Sequence, residues 1–170
     1  DVEALLQPFL DGTPPFRISS AFPYGPEGWY PVRPQGAGLN WRDPKAMKSV
    51  RYVHQDAWLR WCAGEVLADS EWEVNGAFLC REGGLAPISR EAVPHVALDR
   101  TSHASNLYFT GELFFGEGCG MALLLHADEA EWTERVLALL EWLGEAGIGG
   151  ERTSGHGQFT VSDEEAPFTY

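Results

Sequence analysis

Residues 147–159 read Gly-Ile-Gly-Gly-Glu-Arg-Thr-Ser-Gly-His-Gly-Gln-Phe, with five glycines among the first eleven. Glycine reaches positive φ without steric cost, and a run of glycines leaves backbone N–H groups uncovered by side chains. Arg152, Thr153, Ser154 and His156 set further donors among them. Bare N–H groups beside a guanidinium suit a polyanion lying against the loop. The stretch is not a phosphate-binding loop of the Walker type, because no Gly-Lys-Ser/Thr closes it. It is not a dinucleotide fingerprint either, since that motif needs strand, glycines, then helix. Here the order is helix, glycines, strand. The same residues also fit a plain helix-to-strand connection with Gly at the helix C-cap.

Other chemistry is sparse. The histidines are His54, His95, His103, His126 and His156, with no HExxH and no carboxylate spacing that would hold a metal. His126 ends a strand pattern and reads as structural. His103 and His156 lie in polar loops, where each could serve as acid or base in metal-free RNA cleavage or simply hydrogen-bond. Ser19, Ser20 and Ser154 lack the GxSxG elbow. Cys62, Cys80 and Cys119 are odd in number and widely spaced, so they form neither a disulfide framework nor a zinc site. No nucleophile, metal or cofactor is expected. A cytoplasmic protein with reduced thiols fits the cysteine usage, and no apolar run reaches membrane-spanning length.

Net charge is −13 over 170 residues, which excludes a general nucleic-acid binder. The charge is uneven. Residues 1–61 hold seven Lys/Arg against six Asp/Glu, whereas residues 62–170 hold five against nineteen. Lys45, Lys48 and Arg51, with Arg42 just upstream, form the one basic cluster. It fits either a solvated face or a phosphate contact, and Trp41 and Tyr52 beside it either stack on bases or belong to the core.

These residues need elements to hold them. Residues 1–10 read as the end of an amphipathic helix, and Phe16–Phe22 as a strand closed by Pro23-Tyr24-Gly25-Pro26. Residues 29–34 are extended, 35–44 loop, and 55–63 helical. Residues 64–92 are ambiguous and fit a peripheral insertion, with a short strand at 71–74. Strands follow at 96–98, 106–115 and 121–126. Asp128 and Glu131 form a capping box for a helix whose Trp132, Val136, Leu139, Leu140 and Leu143 lie at i, i+4, i+7, i+8 and i+11. The glycine loop and a last strand at 158–161 complete the pattern. Strand, strand, strand, helix, loop, strand is most of a ferredoxin-like α+β unit. The helix and strand near the start suggest a second, incomplete one. The expected partition is 1–63 for the rest of the N-terminal unit, 64–92 for the insertion, and 93–170 for the C-terminal unit.

Three stretches together resemble one known family: Phe16–Tyr24, Val96–Phe109, and the loop at 147–159. The chain is similar to the RAMP (repeat-associated mysterious protein) superfamily. Within it, the likeness is to the type III-A CRISPR subunit of the Csm complex that holds the 5′ tag of the guide RNA (crRNA). The resemblance implies a tandem ferredoxin-like RAMP fold, longer at both ends than the residues given, with the first strand and most of the first helix ahead of Asp1. It implies a non-catalytic subunit that caps the crRNA and joins the large signalling subunit to the backbone subunits. Gly149, Gly150, Arg152, Ser154, Gly155 and His156 match the family's glycine loop, and Arg100 and Thr101 match its second polar loop. Lys45, Lys48 and Arg51 are added on charge alone. A RAMP-fold endoribonuclease that cuts repeat RNA through His103 or His156 is the alternative.

Overall fold

The structure, a computed structural model, describes residues 2–35, 44–65, 67–68, 70–98 and 105–163. In chain order the elements are α1 (Val2–Leu10), β1 (Phe16–Ile18), β2 (Phe22–Gly25), β3 (Gly28–Trp29), α2 (Pro44–Ser49), β4 (Tyr52–Val53) and α3 (Gln55–Cys62). Then come β5 (Trp72–Asn75), β6 (Phe78–Arg81), β7 (Ile88–Leu98), β8 (Ser105–Phe115), β9 (Gly120–Ala122), β10 (Leu125–Ala127) and α4 (Ala130–Ala146). This α+β chain forms two units. Residues 1–20 with 123–170 make the first, and the continuous stretch 21–122 makes the second.

The first unit joins the two ends of the chain. β1 pairs antiparallel with β10, setting Phe16 opposite Ala127, Arg17 opposite His126, and Ile18 opposite Leu125. Phe16 packs edge-on against Phe9 of α1, with ring centroids 5.2 Å apart, and against Trp132 of α4 at 5.7 Å. Both helices therefore contact the Phe16 side of the ribbon. Alternation sends Arg17 and His126 to the opposite face. His126 is accordingly an exposed residue near Asp128 (3.7 Å) rather than a buried structural one.

The strand expected over 16–22 is two strands, and so is the one expected over 121–126. Ser19 explains the break. Its N–H donates to the Leu124 carbonyl, and its Oγ accepts from the Leu124 N–H at 2.9 Å. A side chain has replaced a ladder carbonyl, and pairing resumes one unit further on, where β2 meets β9. The last strand, expected at 158–161, does not form. A strand needs a ladder partner, and these residues instead run back along α4. There Phe159 N–H donates to the Gly144 carbonyl, and the Gln158 amide to that of Glu145. The capping box also fails. The N-cap is Glu129, with no side-chain cap bond, and Glu131 pairs with Arg135 instead.

The second unit holds three antiparallel or mixed sheets: β3-β2-β9, β4-β6-β5 and the β7-β8 hairpin. Its core gathers Met47, Val50, Val53, Ala57, Leu67, Trp72 and Leu79, with Tyr30, Phe78 and Cys80 in an adjoining cluster. Four of these ten come from 72–80, so the stretch that reads as a possible insertion is central to this core. His54 is buried and locked as the α3 N-cap. Its Nδ1 accepts from the Asp56 N–H, which leaves Nε2–H to donate to the Glu27 carbonyl at 2.9 Å. The β7-β8 hairpin is 11 residues long on each strand. Register sets Pro94 beside Phe109 and Val96 beside Leu107 on one face, with Glu91 beside Glu112 and His95 beside Tyr108 on the other.

Candidate nucleic-acid interface

The glycine loop begins where α4 ends. Gly147 takes φ 74° and its N–H caps the Leu143 carbonyl at 2.8 Å. Ile148 N–H then donates to the Gly157 carbonyl at 2.9 Å, closing the loop at its base. A 3₁₀ turn over Arg152–Ser154 forms the tip and ends on Gly155 in the left-handed region. Residues 148–160 are all exposed.

The glycines divide into two groups by what a Cβ would strike. At Gly144 it would meet the Phe159 carbonyl, and at Gly157 the Ile148 carbonyl, so these two are needed to close the loop. At Gly149, Gly150 and Gly155 a Cβ would meet nothing within 4 Å. Gly149 and Gly155 still require glycine for their positive φ of 101° and 83°. Gly150 has neither constraint. Nothing inside the loop accounts for its missing side chain, whereas the close approach of a ligand to the backbone would.

Not all the loop's N–H groups face outward. Those of Ser154, Gly155 and His156 are spent inside the turn, on the Glu151 and Arg152 carbonyls. The N–H groups of Gly149 and Gly150 make no such backbone bond among the described residues. The sequence implies bare amides along the whole loop. Internal closure of the 3₁₀ turn restricts them to its first half.

Charge pairing sorts the cations. Arg60 pairs with Glu65 and Glu71, Arg81 with Asp56, and Arg135 with Glu131. Arg152, Lys48 and Arg51 have no carboxylate at ion-pair distance among the described residues. In a chain with twice as many acids as bases, cations left unpaired and exposed suit an external anion.

Of the residues expected at the site, Gly149, Gly150, Arg152, Ser154, Gly155 and His156 lie together on the loop, in the first unit. Lys45 and Lys48 are exposed on α2, with Arg51 two residues beyond its end, all in the second unit. Arg100, Thr101 and His103 lie outside the described residues, as do Trp41 and Arg42. Tyr52 stacks on Phe78, with centroids 5.2 Å apart and planes 22° apart, so it serves the core rather than a base. Arg33 went unnoticed in the sequence. It donates from Nη1 to the Met47 carbonyl at 2.7 Å, beside the α2 cluster. Its only sequence signal was an isolated basic residue between Val32 and Pro34, 18 positions from Arg51.

Burial works against nucleophilic chemistry at the one enclosed thiol. It pushes the Cys80 pKa up to about 11, so the reactive thiolate is scarce at neutral pH. The buried Tyr30 phenol is raised as well, chiefly by desolvation and then by Cys80. Cys62 is exposed and Cys119 half-buried, and all three thiols are free. Among the described residues no three His, Cys, Asp or Glu side chains converge to hold a metal, and no helix is long and apolar enough to cross a membrane.

Comparison with known proteins places this geometry in context. The curated "CRISPR system Cms protein Csm4" of Thermococcus onnurineus (strain NA1) is 29% identical over 178 residues, covering 96% of this chain and 56% of the relative. A crystal structure of a Csm1-Csm4 cassette in complex with cA4 matches with a TM-score of 0.54 and 23% identity, over 85% of this chain and 52% of that one. A Csm3-Csm4 subcomplex of the type III-A CRISPR-Cas interference complex matches with a TM-score of 0.51 and 13% identity, over 85% and 53%. The chain thus spans about half the length of the relatives it matches, and the structural likeness is one of fold. A family model described as "CRISPR-associated protein (Cas_Cmr3)" matches residues 32–166. That match takes in most of the sequence, the glycine loop included, and on its strength the chain belongs to the Cas_Cmr3 family of CRISPR-associated proteins.

Proposed function

We propose that this chain belongs to a non-catalytic RNA-binding subunit of a type III-A CRISPR effector complex. The subunit caps the crRNA, recognises its 5′ tag, and links the large signalling subunit to the backbone RAMP subunits. The observation that carries the reading is the loop at 147–157. Gly150 lacks a side chain for no reason inside the loop, and among the described residues Arg152 has no carboxylate partner and the amides of Gly149 and Gly150 make no backbone bond. Phosphate oxygens would take those donors, while base identity would be read elsewhere, since phosphate contacts position a strand and base contacts specify it. The linking role draws on the solved relatives, in which Csm4 stands beside Csm1 in one complex and Csm3 in another. The helix–strand of the N-terminal end and the strand–helix–loop of the C-terminal end would together form part of one ferredoxin-like unit, β1 and β10 being neighbours in its sheet.

The test is Arg152→Glu combined with Arg100→Glu in the full-length protein, with the reconstituted complex purified and its crRNA quantified. Loss of crRNA is expected. Unchanged crRNA content would overturn the reading. Incubating the purified protein with a repeat transcript in EDTA separates it from the endoribonuclease alternative, because a cut abolished by His103→Ala or by His156→Ala would favour cleavage over capping.

A further inference from the structure

The second unit carries a cation row that the glycine loop cannot account for. The bridge between Val32 and Tyr52 is antiparallel. Arg33 N–H donates to the Arg51 carbonyl at 2.7 Å, and Val53 N–H to the Pro31 carbonyl at 2.9 Å, so residues 31–33 are clamped along 51–53. In that register Arg33 lies opposite Arg51, and opposed residues of a ladder share a face with their Cβ atoms about 5 Å apart. Two like charges set directly opposite each other destabilise a strand pair. The Arg33 guanidinium also reaches the Met47 carbonyl in the last turn of α2, next to Lys48. Arg33, Lys48 and Arg51 are thereby gathered at one edge, and none has a carboxylate within ion-pair distance among the described residues. The chain holds 25 Asp and Glu. That none of those described neutralises this row marks it as a place for an outside anion.

We infer that Arg33, Lys48 and Arg51 form a second phosphate-contact site, on the second unit, which binds the sugar–phosphate backbone of single-stranded RNA independently of the glycine loop. The inference rests on the RNA-binding reading above and extends it from one contact to two. Arg33 has two parts in it. Its Nη1 fixes the helix end that carries Lys48, while its backbone fixes Arg51. The remaining guanidinium donors and the two exposed side chains then offer charge to neighbouring phosphates. In an acidic chain such contacts can still form, because exposed carboxylates farther than a Debye length of about 8 Å from the row are largely screened at the point of contact. Net charge therefore sets the rate of encounter more than the contact itself.

The experiment measures the salt dependence of binding to a single-stranded RNA oligonucleotide by the full-length protein. Each phosphate contact adds about 0.7 to the slope of log K against log [salt] for a single strand. Lys48→Gln with Arg51→Gln removes two exposed cations that make no side-chain hydrogen bond or ion pair among the described residues, so folding should survive, as circular dichroism would check. The slope should fall by about 1.4, and the loss should add to that caused by Arg152→Glu. Arg33→Lys keeps the charge but loses the Nη1 bond to the Met47 carbonyl, and should weaken binding less than the double variant. A slope unchanged in the double variant but reduced by Arg152→Glu would overturn this inference and leave the glycine-loop reading intact. A slope reduced by the double variant and untouched by Arg152→Glu would support the second site while counting against the loop. Wild-type protein whose RNA binding ignores salt would end both. If the double variant keeps its RNA slope and loses only an acidic partner subunit on purification, the row is a protein contact and the inference fails.

Discussion

The two units differ in how they are held together. Among the described residues, ten of the eleven buried apolar side chains lie in the second unit, and Val136 stands alone in the first. Leu79 and Val53 are fully enclosed, whereas Leu139 and Trp142 of α4 are 64% and 68% exposed. The stripe on α4 that looks made for a core is only half used by the first unit. That unit is held instead by a short ribbon, two aromatic contacts and the backbone bonds of the loop. The part bearing the glycine loop should accordingly be the softer of the two, and the part bearing the cation row the firmer.

That contrast can be broken at its strongest point. Leu79→Ala opens a cavity in an enclosed core and should cost about 2–5 kcal/mol, seen as a lower urea midpoint. Leu139→Ala should cost no more than about 0.5 kcal/mol, as an exposed substitution. Equal losses would refute the division. A second, smaller effect sharpens the picture within the loop. Gly157→Ala sets a methyl against the Ile148 carbonyl at φ 75° and should destabilise by about 1–3 kcal/mol. Gly150→Ala should leave stability unchanged or raise it by up to about 1 kcal/mol, yet weaken RNA binding. If Gly150→Ala binds RNA as the wild type does, the loop is only a connection. The third effect is absent at neutral pH. Cys80 rises from its ordinary 9.0 to about 11 through burial. The folded state holds this proton more tightly than the unfolded chain, so its contribution is complete below pH 9 and is lost as pH climbs through 11. Cys80→Ala should flatten the alkaline fall of the urea midpoint over that window. A fall of the same steepness would assign it to other groups, Tyr30 first.

How far the sequence went varied with the kind of signal. The 3.6 period of Trp132, Val136, Leu140 and Leu143 located α4 because periodicity survives whatever the helix packs against. Its start departs from the capping box that the sequence suggests, since such a box competes with other partners and Glu131 pairs with Arg135. Alternation over 16–22 and the apolar run over 121–126 point to strands without showing their interruption. That break depends on Ser19 meeting Leu124, a contact no local pattern encodes. The glycine loop was legible as a motif, though which amides it leaves open depends on the 3₁₀ turn. Arg33 was invisible for the same reason as Ser19: its partners lie across a bridge, and charge counted along the chain does not show it.

The pairing of β1 with β10 spans more than a hundred residues, and everything between forms the second unit. Contacts of such separation close late, because the loop entropy is spent before they give anything back. A ribosome therefore releases the whole of the second unit before β10 exists. The surface that would grip the guide's end is completed only after that unit, so a chain cut short just past residue 122 would present a folded body and an empty hand.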